Sequence, residues 1–152
     1  MLMIKTVNNA VFFEEVARIL LTGQPVELRV RGNSMMPYLR NGKDKVALYP
    51  AADTELKKGR IVLFRYRGNY LLHRIIKRNN NTLLLQGDGV YAGKEQVAVN
   101  DVVGVVKYLF RSNDKRVSVQ SFSASCYWRF WLLFRPFRRI LLPMTRKFLL
   151  PR

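Results

Sequence analysis

The chain is poor in the residues that hold metals and form cross-links. It has one cysteine, Cys126, and one histidine, His73, and its ten carboxylates are scattered. A lone cysteine excludes an internal disulfide and any cysteine-built zinc site. No metal and no other cofactor is expected. Long apolar runs are missing as well. A membrane-spanning helix needs roughly 20 mostly apolar residues, and the best stretch, "FWLLF" at 130–134, is only five residues between arginines. The N-terminal stretch carries Glu14 and Glu15 within its apolar part, and no small-residue cleavage site follows, so the pattern of a secretory signal is absent. These absences point to a reducing, cytoplasmic setting with no transmembrane segment.

Carboxylates are too few to balance the bases. Ten Asp and Glu stand against 27 Lys and Arg, a formal net charge of +17. Such an excess favours polyanionic partners, either nucleic acid or an anionic membrane surface, and says nothing about fold. At 152 residues, 49% hydrophobic and 24% charged, the chain is long enough to bury a core of its own.

The apolar spacing predicts a helix over residues 9–22, capped by Asn8 or Asn9, carrying Phe12, Val16, Ile19 and Leu20, and ended by Gly23. Beyond it the period changes to two. "VELRV" places Val26, Leu28 and Val30 on one face, and "DKVALYP", "GRIVLFRYR", "YLLHRIIKR", "TLLLQ" and "DVVGVVKYLF" read as further strands. Gly68-Asn69, the asparagines at 79–81 and "GDG" at 87–89 supply the turns. The expected fold is mainly β (α+β): a small folded sheet or barrel-like domain over residues 1–120 behind an N-terminal helix.

From residue 121 the composition shifts. Residues 127–152 hold seven basic side chains, seven aromatics and no acid. Pro136, Pro143 and Pro151 are expected to cut this extension into short helical pieces. Arg135, Arg138, Arg139 and Leu142 fall on one helical face. The segment reads either as a docked helix with solvated arginines, or as a peripheral attachment to the inner, anionic face of a membrane. In the second case Trp128, Trp131, Phe134 and Phe137 would lie at the interface.

One short stretch carries chemistry. In "RGNSMMPYL" a strand stops, turns between glycines and presents the hydroxyl of Ser34. A serine becomes a nucleophile when a neighbouring base takes its proton, and the sole histidine is the natural base. His73 shares a strand face with Leu71 and Ile75, where a histidine is more often a packing residue. Asp88, between Gly87 and Gly89, is either a turn aspartate or a carboxylate that orients the imidazole. Taken singly, each residue supports the plainer reading.

Taken in order, the segments resemble one superfamily. "GNSMMPYL" is similar to the G-x-S-M-x-P box of the signal-peptidase and SOS-repressor peptidases. "KKGRIVLFRY" resembles that superfamily's Gly-Asp-Ile-Val strand, although Arg60 stands where the aspartate is usual. "LLHRII" resembles the strand carrying the general base just before an arginine, "LLLQGDGV" the Lys-Gly-Asp segment, and "DVVGVV" the closing strand. The resemblance covers roughly residues 10–110. Histidine in place of the lysine base marks the subtype of endoplasmic-reticulum and archaeal signal peptidases. It implies Ser34 as nucleophile, His73 as general base and Asp88 as its orienter, with backbone amides of the nucleophile turn, at Ser34, Met35 and Met36, facing the oxyanion. The second aspartate of that subtype has no counterpart: "VYAGKEQV" offers Glu95, and Asp101 lies further on. Asp88 and Asp101 are therefore both candidates for the third residue.

The expected function is that of a serine endopeptidase acting in trans on an extended peptide or protein substrate. The roughly 25 residues before "VELRV" leave no room for the DNA-binding domain of a self-cleaving repressor. Two other classes compete. A nucleic-acid-binding module would use the positive charge and aromatics, but these aromatics cluster with leucines at the C-terminus and not on a strand face. A non-catalytic relative would use the cleft only to bind peptide.

Overall fold

Alternating apolar residues between 26 and 118 build one open antiparallel sheet. The computed structural model describes residues 9–149. In chain order these form α1 (Asn9–Leu21), β1 (Val26–Arg29), β2 (Lys45–Tyr49), β3 (Ile61–Tyr66), β4 (Asn69–Asn79), β5 (Thr82–Gln86), β6 (Glu95–Ala98), β7 (Val102–Phe110), β8 (Arg116–Ser118), α2 (Phe122–Leu133) and α3 (Arg138–Leu149). The strands neighbour one another in the order β1-β2-β7-β3-β4-β5-β6. On the side of β7 that faces β3, Val102–Val105 pairs β3, and Tyr108–Phe110 pairs β8. The sheet does not close, and β1 and β6 are its edges.

Period-two patterning sends successive residues to opposite faces. Ile61 and Leu63 of β3 join one core with Val46, Leu48, Val106 and Leu109, which α1 covers through Val16 and Leu20. Val62 and Phe64 join a second core with Ile75, Leu83, Leu85 and Val105. The β3–β4 hairpin turns one residue earlier than Gly68-Asn69. Arg67 and Gly68 are its two central residues, both at positive φ, the requirement of a type I′ turn. Asn8 lies outside the described residues.

The C-terminal segment is helical and docked. Ser121 caps α2 by accepting from the Ala124 amide. Pro136 sits in the single 3₁₀ turn, Arg135–Phe137, that separates α2 from α3. Pro143 does not interrupt the chain but lies inside α3. Its missing N–H leaves the carbonyl of Arg139 without its helical donor. Both residues are exposed, so water can take that place. Pro151 lies outside the described residues. The face shared by Arg138 and Leu142 is buried, not solvated, while Arg139 is exposed. Among the described residues no helix is long and apolar enough to cross a membrane.

The long connection between β1 and β2, which carries Ser34, is pinned at its base. Val30 N–H donates to the Asp44 carbonyl at 2.9 Å and Gly42 N–H to the Val30 carbonyl at 2.8 Å. Met35 and Leu39 plug the first core. The Asp44 side chain, 0% exposed, accepts from the Arg40 amide at 2.9 Å, the Arg40 guanidinium at 2.7 Å and Arg111 at 2.7 Å. Arg111, just past the end of β7, also donates to the Tyr38 carbonyl, so it ties the second half of the loop to the sheet. Burial by itself would raise the Asp44 pKa. The Arg40 hydrogen bonds and the Arg111 charge outweigh it and hold the carboxyl below its ordinary range. The stability this contributes is complete above the ordinary carboxylate value of about 3.9 and is lost as the pH falls through the lower folded value. Asp44→Asn is expected to cost about 2–4 kcal/mol at neutral pH, since both arginines keep partial hydration. Thermal unfolding followed against pH checks this, because the gap between mutant and wild type should shrink in acid.

Candidate active site

Strand β4 places two adjacent polar residues in opposite environments. His73 shares its face with Val62, its partner on β3, and with Ile75. Its ring lies 5.7 Å from that of Phe64, and the residue is only 5% exposed. Arg74 points the other way. Its Nε and Nη2 donate to the two oxygens of Asp88 at 2.9 and 2.7 Å, its Nη1 to the Gly59 carbonyl at 2.8 Å, and its guanidinium lies 5.0 Å from the Tyr38 ring centre.

Asp88 therefore does not orient His73. A guanidinium that is 97% removed from water needs a bidentate carboxylate, and Asp88 supplies it. The imidazole partner is Glu95, whose carboxylate lies 2.8 Å from His73 Nδ1. A carboxylate only accepts, so Nδ1 carries the proton and the neutral ring keeps its lone pair on Nε2. Asp101 is also outside this arrangement, since its side chain accepts from the Ala98 amide within its own turn.

Glu95 reaches His73 because of the register. Arg74 pairs Gln86 on β5, and Leu85 pairs both Ile75 and Glu95. Ile75, Leu85 and Glu95 thus form one row on the face of His73, and continuing the register sets Gly87 opposite His73. The absence of a side chain at Gly87 leaves the space in which the ring sits. A Cβ there would run into the Ser34 carbonyl and lie 3.1 Å from His73 Nε2.

The same turn holds the Ser34 loop. Gly89 N–H donates to the Ser34 carbonyl at 2.7 Å, and a Cβ on Gly89 would strike the Asn33 carbonyl. Ser34 is half-buried, and Met35 and Met36 turn their side chains inward. The Met36–Pro37 peptide is cis. The Met36 amide donates to the Asn33 carbonyl at 3.2 Å, whereas the amides of Ser34 and Met35 have no hydrogen-bond partner among the described residues. Met36 therefore drops out as an oxyanion donor. The Ser34 carbonyl and His73 Nε2 both lie against the Gly87 turn, and among the described residues no hydrogen bond joins the Ser34 hydroxyl to Nε2. Such bonds often tighten only when substrate seats.

The turn is braced from behind by the C-terminal helices. Trp131 Nε1 donates to the Asp88 carbonyl at 2.9 Å, and Arg138 reaches the carbonyls of Gly87 and Val90 at 3.4 and 3.3 Å. Trp128 lies over Gly59, where a Cβ would strike its indole. Trp131 and Arg138 are buried. Burial pushes the Arg138 pKa down, a cost offset in part by the Asp88 charge, and pushes the Tyr127 hydroxyl far up. Trp131 thus packs against the turn, while Trp128 is half-buried over Gly59. Among the described residues no group of three or more His, Cys, Asp or Glu converges where a metal ion could sit. Comparison with known proteins finds no matching family model and no matching curated protein.

The two carboxylates should separate in a stability measurement. Asp88→Asn leaves Arg74 buried with an incomplete partner and is expected to cost about 3–5 kcal/mol. Glu95→Gln, at the rim of the sheet, should cost under about 1.5 kcal/mol, the scale of one hydrogen bond. Urea unfolding of both variants reads the difference, and equal losses would contradict these assignments.

Proposed function

We propose that the protein is a serine endopeptidase, similar to the histidine subtype of signal peptidases, that cleaves an extended polypeptide in trans. The observation carrying this reading is the 2.8 Å contact of His73 Nδ1 with Glu95, in a ring whose Nε2 faces the Gly87 turn that grips the Ser34 loop. This is the arrangement a serine nucleophile requires: a base with a fixed tautomer, and a carboxylate that stabilises the imidazolium when it forms.

In the proposed reaction Ser34 Oγ attacks the scissile carbonyl while His73 Nε2 takes the hydroxyl proton. The carbonyl electrons move onto oxygen, and the amides of Ser34 and Met35 donate to that oxyanion. Collapse of the tetrahedral intermediate breaks the C–N bond, and the imidazolium returns its proton to the departing amine. Water then attacks the acyl-enzyme by the same route and regenerates Ser34. The substrate pairs as an added strand with the open edge of β1, which runs directly into the Ser34 loop. Main-chain hydrogen bonds then supply most of the affinity, and side-chain preference is modest.

Ser34→Ala and His73→Ala are each expected to abolish cleavage of an unfolded polypeptide, with a double mutant no worse than either. Glu95→Gln should lower kcat by roughly 10²–10⁴-fold with a smaller change in KM, because it removes the group that fixes the tautomer. Mass spectrometry of the products, with folding checked by circular dichroism, measures these effects. Full activity in folded Ser34→Ala would overturn the proposal. Covalent labelling of wild type by a fluorophosphonate, lost in Ser34→Ala, separates a live site from a cleft that only binds peptide.

A further inference from the structure

The C-terminal helices use one side to brace the Gly87–Gly89 turn and leave the other uncovered. Trp131, Arg138 and Leu142 face inward. On the outer side Phe130, Leu133, Phe137, Ile140 and Met144 are between 55 and 74% exposed. Their spacing keeps Phe130 with Leu133 on one side of α2 and Ile140 with Met144 on one side of α3, and Phe137 in the 3₁₀ turn between them continues the apolar stripe. The half-buried Phe134 ring bridges the stripe at the 3₁₀ turn, 4.3 Å from the Phe130 ring and 6.1 Å from that of Phe137.

Arg129, Arg139 and Lys147 are exposed on the same two helices. No Asp or Glu follows Asp114 in the chain, and among the described residues none of the three forms an ion pair. An apolar stripe with purely cationic flanks does not suit a second copy of itself, because the like charges would be brought together. It suits a surface that is apolar within and anionic outside.

We infer that this outer face docks on an anionic phospholipid bilayer. The stripe enters the acyl boundary and the flanking cations meet the headgroups, as amphipathic helices do without spanning the membrane. The opposite face of the same helices touches the Gly87 and Asp88 carbonyls. Docking therefore holds the candidate active site about one helix diameter, ~10–12 Å, from the membrane surface. The inference rests on the exposed face alone and stands or falls separately from the peptidase reading.

Co-sedimentation of the full chain with vesicles tests it. Phosphatidylcholine vesicles are compared with vesicles containing phosphatidylglycerol, at low salt and at about 1 M salt, where screening shortens to ~3 Å. Binding is expected only with the anionic vesicles, and should largely disappear at high salt. Arg129→Ala and Arg139→Ala should each weaken it about fivefold. Leu133→Glu with Ile140→Glu should remove it while leaving the melting temperature unchanged, and the arginine variants carry the test if that pair fails to fold. Three results would overturn the inference: equal pelleting with both vesicle types, anionic binding unaltered by these substitutions, or no vesicle binding. A dimer in light scattering that the stripe substitutions dissociate would assign the face to a second copy instead.

Discussion

The buried Arg74–Asp88 pair is the constraint around which the candidate site is organised. Removing two charges from water costs several kcal/mol per ion, and mutual attraction offsets this only when the remaining hydrogen bonds are complete. Here Arg74 spends its donors on both Asp88 oxygens and on the Gly59 carbonyl, with Tyr38 beside the guanidinium. Asp88 cannot move without stranding Arg74, so the Gly87–Gly89 turn is fixed to β4. Its two outward contacts are then fixed as well: Gly89 to the Ser34 carbonyl, and Gly87 against His73.

The alternation of β4 divides the work between neighbouring residues. One face carries the ion pair that sets the position of the turn, and the other carries His73 and Glu95. The C-terminal helices belong to the first half, since Trp131 and Arg138 meet the backbone of the turn directly. The extension is therefore part of what shapes the site. A chain cut at residue 127 loses Trp131 and Arg138 together, so lost cleavage in it would not by itself contradict the peptidase reading.

Much of this was legible in the sequence. Apolar alternation marked β1, apolar stretches bounded by turn residues marked β2 to β5 and β7, helical spacing marked α1, and the shift in composition at 121 falls beside the start of α2 at Phe122. Strand β6 was not legible because it is an edge strand with a single buried residue, Val97, and its polar neighbours leave no alternation to read. Without β6, Glu95 had no placement beside His73. Asp88, flanked by glycines in the segment resembling Lys-Gly-Asp, drew the orienting role instead. The signal against it was Arg74 itself: a basic residue in an apolar strand, between His73 and Ile75, needs a buried carboxylate. The inward turn of Trp131 was hidden too, because composition shows that a segment is aromatic and basic but not which face it buries.

The division of roles across β4 rests on which carboxylate meets the imidazole, and a single histidine makes that directly observable. In a protein labelled with ¹⁵N-histidine, every imidazole signal belongs to His73. Proton and nitrogen NMR of wild type, Glu95→Gln and Asp88→Asn then reports the tautomer and its hydrogen bond. A downfield Nδ1–H resonance is expected in wild type, moved or lost in Glu95→Gln and retained in folded Asp88→Asn. A proton on Nε2 in the neutral wild-type ring, or an Nδ1–H signal indifferent to Glu95→Gln and lost in Asp88→Asn, would contradict the assignment.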